Sequence, residues 1–250
     1  MQRRSAEKLS EVGDGGVRPN FFFSVKRVTH NISTMERMKS LDPPHKGIRN
    51  LLSQFALLAG RTAYGNLDEV KELKTLGSEM FILLENHQYT EEAFILAPLK
   101  LKHPQATEEV ETEHIELDRL EKSLQQKLVA LDGSQSDNEG HAFYLEFTEF
   151  QSRYLQHIAE EDRQLEIDMQ EAFTDEELIQ HQVAIMESMD FATLLLWFKY
   201  IVPARRIEEN AQVLTAFKGA ALAEAYAAVL DTIRPQLSAE RFEAILSKVQ

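Results

Sequence analysis

Apolar positions recur at steps of three and four along most of the chain, and no stretch sustains the alternation expected of a strand. Over residues 44–60 the stripe is Ile48, Leu51, Leu52, Phe55 and Leu58, with His45 one turn before Ile48. A turn at residues 65–68 opens a second stripe, through Leu73, Leu76, Met80 and Leu83 to His87 and Glu91; Pro98 is expected to end that helix. A third helix is expected from near Gln105, with Thr107 as a cap, carrying Val110, His114, Leu117, Leu124, Leu128 and Leu131. After a polar loop over residues 132–140, a fourth stripe shows Phe143, Phe147, Phe150, Tyr154, His157, Glu161 and Leu165. Histidines and glutamates therefore stand where core residues would.

Beyond Phe173 the pattern restarts. Thr174 followed by Glu177 reads as a capping box, and helices are expected near 175–187, 190–202, 205–218, 220–233 and 238–248, with Pro203 and Pro235 separating some of them. Upstream, residues 1–20 are polar and glycine-bearing, Phe21-Phe22-Phe23 is an apolar anchor, and residues 24–40 are expected to include a short helix before Pro43-Pro44 opens the next one. The expected organisation has three parts: an N-terminal arm over 1–42, partly mobile; a four-helix unit over 43–173; and a helical extension over 174–250. Residues 21–43 are expected to cover the end of the bundle at which His45 begins its helix.

Composition supports an all-α fold. The chain is 43% hydrophobic and 27% charged, with only 10 glycines and 7 prolines in 250 residues. Its net charge is −14, and its basic runs are no longer than pairs such as Arg3-Arg4 and Arg205-Arg206, which argues against nucleic acid as a partner. It has no cysteine, which removes disulfides and thiolate metal sites. The longest apolar run, from Leu194 to Val202, is interrupted by Lys199 and is too short for a bilayer. With a polar N-terminus, the expectation is a cytoplasmic protein without a membrane partner.

The chemistry lies in the histidines. His87 and Glu91, and again His157 and Glu161, are four residues apart, so each pair shares a helix face one turn apart. His45 and His114 complete a set of four imidazoles and two carboxylates. Depth agrees: His114 lies 18 residues before Asp132 and His157 lies 18 after Glu139, so both fall about 27 Å from the turn that joins their helices. The four histidines can thus share one level of an up-down-up-down bundle. Mixed imidazole and carboxylate ligands suit iron, manganese or zinc. His30, His103, His141 and His181 fall outside the pattern and read as surface or capping residues. Glu92, Glu160 and Asp162 read as solvated or supporting, with Asp162 the strongest alternative ligand; Glu111 is a candidate to extend the set. Tyr89 and Tyr154 are candidates for hydrogen bonds near the site, with core packing the favoured account of Tyr154.

These stretches resemble the hemerythrin-like family of histidine- and glutamate-containing cation-binding bundles. In that family a lone His opens the first helix, a His-x3-Glu lies on the second, a His on the third and another His-x3-Glu with an acidic neighbour on the fourth. Here these positions are His45, His87 and Glu91, His114, then His157 and Glu161. The similarity covers about residues 43–173, and the later helices, with Trp197 and Pro203-Ala204, look like extensions of some bacterial members. The oxygen-carrying branch has a second His four residues before the one on its third helix, where this chain has Val110, and an Asp five residues after its fourth-helix His, where this chain has Asp162. Members associated with repair of iron centres carry an N-terminal cysteine pair, which is missing here.

The resemblance implies a four-helix bundle holding two iron ions, with manganese or zinc as alternatives, bridged by Glu91 and Glu161 and completed by His45, His87, His114 and His157. The expected function is binding of a small ligand such as O2, NO or peroxide, for sensing, storage or stress protection. The alternatives are an enzyme consuming peroxide or NO, and a metal-dependent regulatory protein that meets a partner through its C-terminal helices.

Overall fold

The computed structural model describes residues 37–250. Phe21-Phe22-Phe23 and most of the expected arm helix lie outside the described residues. Within them the chain is helical, without a strand. Four long helices make the bundle: α1 (Asp42–Arg61), α2 (Leu67–Glu91), α4 (Glu108–Ala130) and α5 (Asp137–Glu161). They pack in a ring, α1 on α2, α2 on α4, α4 on α5 and α5 on α1. Fully buried Ile48, Leu51, Leu52, Phe55, Leu73, Met80, Leu83 and Phe147 fill the interior. Each such side chain contributes about 1.5–3 kcal/mol of transfer free energy.

Local chemistry sets the helix starts. Pro43 and Pro44 lie in the first turn of α1, where backbone N–H groups have no helical acceptor to lose. Glu166, itself buried, accepts from the backbone N–H of Ser40 (3.1 Å) and Leu41 (2.9 Å) and so anchors the chain entering α1. Ser136 and Glu139 form a reciprocal capping box that starts α5 at Asp137, inside the stretch expected as loop. Thr174 and Glu177 do the same for α7 (Asp175–Ser188), as their spacing predicts.

Two expectations are corrected. Pro98 does not end the second helix. After Glu91 the chain widens into a π-turn (Glu92–Leu96) and continues as α3 (Ala97–Lys102), with the Ala97 N–H reaching back to the Glu92 carbonyl. The wider turn displaces the hydrogen-bond ladder beside a residue that has no N–H to give it. Thr107 precedes α4 but its side chain makes no cap hydrogen bond; it is buried and its hydroxyl faces the Pro104 carbonyl at 3.4 Å.

The fourth stripe also breaks, at Glu161. A turn over 162–164 leads to α6 (Leu165–Ala172), which folds back with α7 across the end of the bundle. There Leu41, Ile95, Leu96, Leu99, Leu165, Met169, Phe173 and Leu178 form a second apolar cluster, joined by Met38. Residues 37–41 are therefore part of the cover at that end, where among the described residues they are joined by the π-turn, α3, α6 and α7.

The remaining helices are α8 (Phe191–Ala204), α9 (Ile207–Ala220), α10 (Ala223–Ile233) and α11 (Ala239–Leu246). Pro203 lies inside the last turn of α8 rather than after it. α8 is apolar almost all round, the signature of a helix covered on every side. One face sends Trp197 and Tyr200 into the bundle core, and the other sends Phe198 and Val202 into a third cluster with Leu214, Phe217, Val229 and Ile233. α8 approaches α1 so closely that a Cβ on Gly47 would lie 2.8 Å from Ile201 Cγ1. Lys199, the one charge in its apolar run, pairs with Glu79 at 2.6 Å. Among the described residues no helix is long and apolar enough to cross a membrane.

Candidate metal centre

Each bundle helix delivers its polar residues to one level. His45 lies in the first turn of α1; His87 and Glu91 lie in the last turns of α2; His114 lies in the second turn of α4; His157 and Glu161 lie in the last turns of α5. All six are at most 3% exposed. The His45 and His87 rings lie 5.1 Å apart, and those of His114 and His157 4.9 Å apart, forming two pairs.

The carboxylates lie between the pairs. Glu161 Oε2 faces His45 Nε2 at 3.3 Å, while Glu161 Oε1 faces His157 Nε2 at 3.0 Å and His114 Nε2 at 3.6 Å. Glu91 Oε2 faces His87 Nε2 at 3.5 Å and His114 Nε2 at 3.7 Å. The atoms form two clusters that share Glu161, one with His45 and His87, the other with His114 and His157; either could hold a metal ion. Both oxygens of Glu91 and of Glu161, and Nε2 of His45 and His87, are buried without a hydrogen-bond partner. Buried polar atoms are expensive unless something coordinates them, and a cation answers all six at once. The donor set thus fits the metal its pattern predicts.

The outward nitrogens are also engaged. His45 Nδ1 is 2.6 Å from Asp162 Oδ1, His157 Nδ1 is 2.7 Å from Glu113 Oε2, and His114 Nδ1 is 3.2 Å from Glu92 Oε1. A carboxylate on Nδ1 makes that nitrogen the donor and leaves Nε2 as a lone pair facing the centre. Asp162 is held in turn by Arg49 at 2.7 Å.

Protonation follows the same geometry. Burial pulls His87 down, and neighbouring His45 adds to this, so its pKa lies well below the usual value. Burial also pulls on His45 and His157. In His45, Asp162 and Glu161 outweigh it and raise the pKa; in His157, Glu161 and Glu113 do so. Burial and Glu161 push Glu91 well above the carboxylate range. Burial acts on Glu161 too, but His114, His157 and His45 hold it well below. Glu161 is therefore the anion around which the cluster is organised.

All six residues singled out by the pattern come together. Asp162 does not point inward; it is spent on the outer nitrogen of His45. Glu111 turns away to Lys100, at 2.7 Å. Tyr89 is 58% exposed, whereas Tyr154 is buried with its ring 6.0 Å from His157. His103 and His141 are exposed, and His181 packs its ring against Phe173; His30 lies outside the described residues. Pattern reading gave no role to Glu113 or Arg49. Arg49 is four residues after His45, an offset that could have flagged it. Glu113 depends on the packing of α4 against α5, which no single helix reveals.

Trp197 closes the His87 side from α8. Its Nε1 donates to Asn86 Oδ1 at 2.8 Å, and its ring lies 6.5 Å from that of His87. The oxygen carriers' extra histidine position is filled by Val110, which packs with the second apolar cluster.

Comparison with curated proteins and with solved structures gave no match. Comparison with protein families matched the hemerythrin HHE cation binding domain over residues 38–166, which takes in all four bundle helices and every one of the six convergent residues. The chain belongs to the hemerythrin HHE cation-binding family.

Proposed function

We propose that the chain binds two iron ions, held by His45, His87, His114 and His157 and bridged by Glu91 and Glu161, and that the pair of ions takes up a small ligand of the O2, NO or peroxide class. The observation carrying this reading is Glu161, whose two carboxylate oxygens face different histidine pairs. A carboxylate divided in this way suits two ions better than one. Four imidazole nitrogens and four carboxylate oxygens supply about four donors per ion, whereas octahedral ions take six, which leaves positions for an exogenous ligand. When bound, iron supplies an electron-rich Lewis-acidic centre for such ligands. The protein supplies a buried set of donors, imidazoles oriented by carboxylates on Nδ1, and a cover of apolar helices.

Metal analysis of protein purified without added metal, followed by visible spectra after iron loading and exposure to air, tests the reading. Two irons per chain with a ligand-dependent absorption band are expected. A single colourless zinc per chain would overturn it. Catalysed decay of added peroxide would move the function to an enzyme. A regulatory reading draws support from Trp197, through which the C-terminal helices touch the His87 side of the site.

A further inference from the structure

The two halves of the centre differ in what stands behind their imidazoles. Behind His114 and His157 are two carboxylates, Glu92 on the Nδ1 of the first at 3.2 Å and Glu113 on the Nδ1 of the second at 2.7 Å. Glu92 Oε1 also accepts from the Gln88 amide at 2.9 Å, an uncharged group. Behind His45 is Asp162, at 2.6 Å, but its other oxygen is bound by the Arg49 guanidinium at 2.7 Å. The carboxylate that faces His87 is Glu91, on the inward Nε2. Behind His87 the neighbour is the Trp197 ring, at 6.5 Å, on the apolar α8. The chain thus sets two negative charges behind one imidazole pair, and one negative and one positive charge behind the other. The outer side chains are 31% (Asp162), 33% (Glu113) and 49% (Glu92) exposed, so solvent weakens each without cancelling the contrast.

A carboxylate on Nδ1 makes an imidazole more basic and strengthens its bond to a metal. A guanidinium on that carboxylate draws its charge the other way, and uncompensated negative charge favours a divalent ion directly. All three effects favour the His114/His157 position. Glu161 sharpens the difference, because its two oxygens face both positions. The second ion meets a carboxylate whose charge the first has already drawn on. We propose that the two positions fill in order, His114/His157 first and His45/His87 second, so that a one-ion state precedes the two-ion state; this rests on the two-ion reading above. Glu92, Glu113, Asp162 and Arg49 are then positioning residues that set the order by acting through the histidines.

The test titrates zinc into metal-stripped, full-length protein carrying 15N-labelled histidine. Zinc is divalent and diamagnetic and takes imidazole and carboxylate donors. The ring signals of His45 and His157 are recognised by the changes that Asp162→Asn and Glu113→Gln bring to each, which leaves every ligand in place. The His157 signal should move over the first equivalent and the His45 signal over the second. Competition with a chromophoric chelator should show two steps about tenfold or more apart. In that assay Asp162→Asn should weaken the second step about tenfold and spare the first, whereas Glu113→Gln should weaken the first. Movement of the His45 signal first, movement of both in parallel, or a loss of the first step in Asp162→Asn would each overturn the order. Saturation at one zinc per chain would instead sink the two-ion reading, a distinct result.

Discussion

Glu161 and Asp162 are consecutive, yet they hold opposite sides of His45: one faces Nε2 at 3.3 Å and the other Nδ1 at 2.6 Å. Their variants should differ accordingly. Asp162→Ala frees the orientation of one imidazole and should weaken metal binding about 10- to 100-fold. Glu161→Ala removes the shared anion and should cost more, leaving the chain substoichiometric in metal. Chelator competition on both proteins measures this, and equal losses would mean that the two carboxylates have been assigned the wrong roles. The inward residues were legible in sequence because each replaces an apolar residue on a helical stripe. Among the outward carboxylates, Glu92 and Asp162 read as supporting neighbours of the histidines, whereas Glu113 has no special place on any stripe and draws no role from it.

Glu121 is another residue that composition hides. It occupies the buried stripe of α4 between Leu117 and Leu124, with Oε1 unpartnered. Burial, then Glu85 and Asp118, push its pKa up to about 8. A raised carboxyl binds its proton more tightly in the folded chain than in the unfolded one. Its contribution is therefore fully present below the ordinary glutamate pKa and is lost as pH rises toward 8. Glu121→Gln should remove that dependence, gaining about 1–3 kcal/mol on the wild type between pH 5.5 and 8.5. Urea midpoints of both proteins at the two pH values give the difference directly; parallel shifts would show that Glu121 does not titrate in this window.

At the scale of elements, the stripes foretold the starts of the four bundle helices to within a few residues, and the Thr174–Glu177 pair foretold the start of α7. What they could not foretell was how helices end near the site. The π-turn after Glu91 and the break after Glu161 are not written as glycine or proline at those positions; the first displaces the ladder ahead of Pro98, and the second opens the turn over 162–164 that leads to α6. Close approach is similarly invisible in a stripe. Gly140 of α5 lies against Tyr64, and a Cβ there would fall 2.3 Å from the ring Cδ2 and 2.9 Å from Tyr64 Cβ. The ring cannot swing clear without losing its hydroxyl bond to the Ala59 carbonyl (3.0 Å). Gly140→Ala should therefore destabilise by about 1–3 kcal/mol despite alanine's better helix propensity. A thermal midpoint at or above that of the wild type would show that the α1–α2 loop gives way freely.

For the whole molecule, the family match stops at residue 166, while the bundle core continues through α8. An apolar run too short for a bilayer turns out to be the helix on which two clusters meet, a role that its composition allows but does not announce. Trp197 lies at that junction, and it is the chain's one tryptophan. Its indole therefore doubles as an optical gauge: emission from a single chromophore beside the His87 ring should be quenched as iron fills the neighbouring positions. Titrating ferrous ion into the stripped protein should give a saturable fall whose breakpoint counts the ions bound, and Trp197→Phe should leave only weak tyrosine emission. Unchanged fluorescence on full loading would separate the indole electronically from the centre. A quench that reverses when a small ligand is added would instead mean that α8 carries news of occupancy outward, and that fluorescence could follow ligand binding in real time without any label.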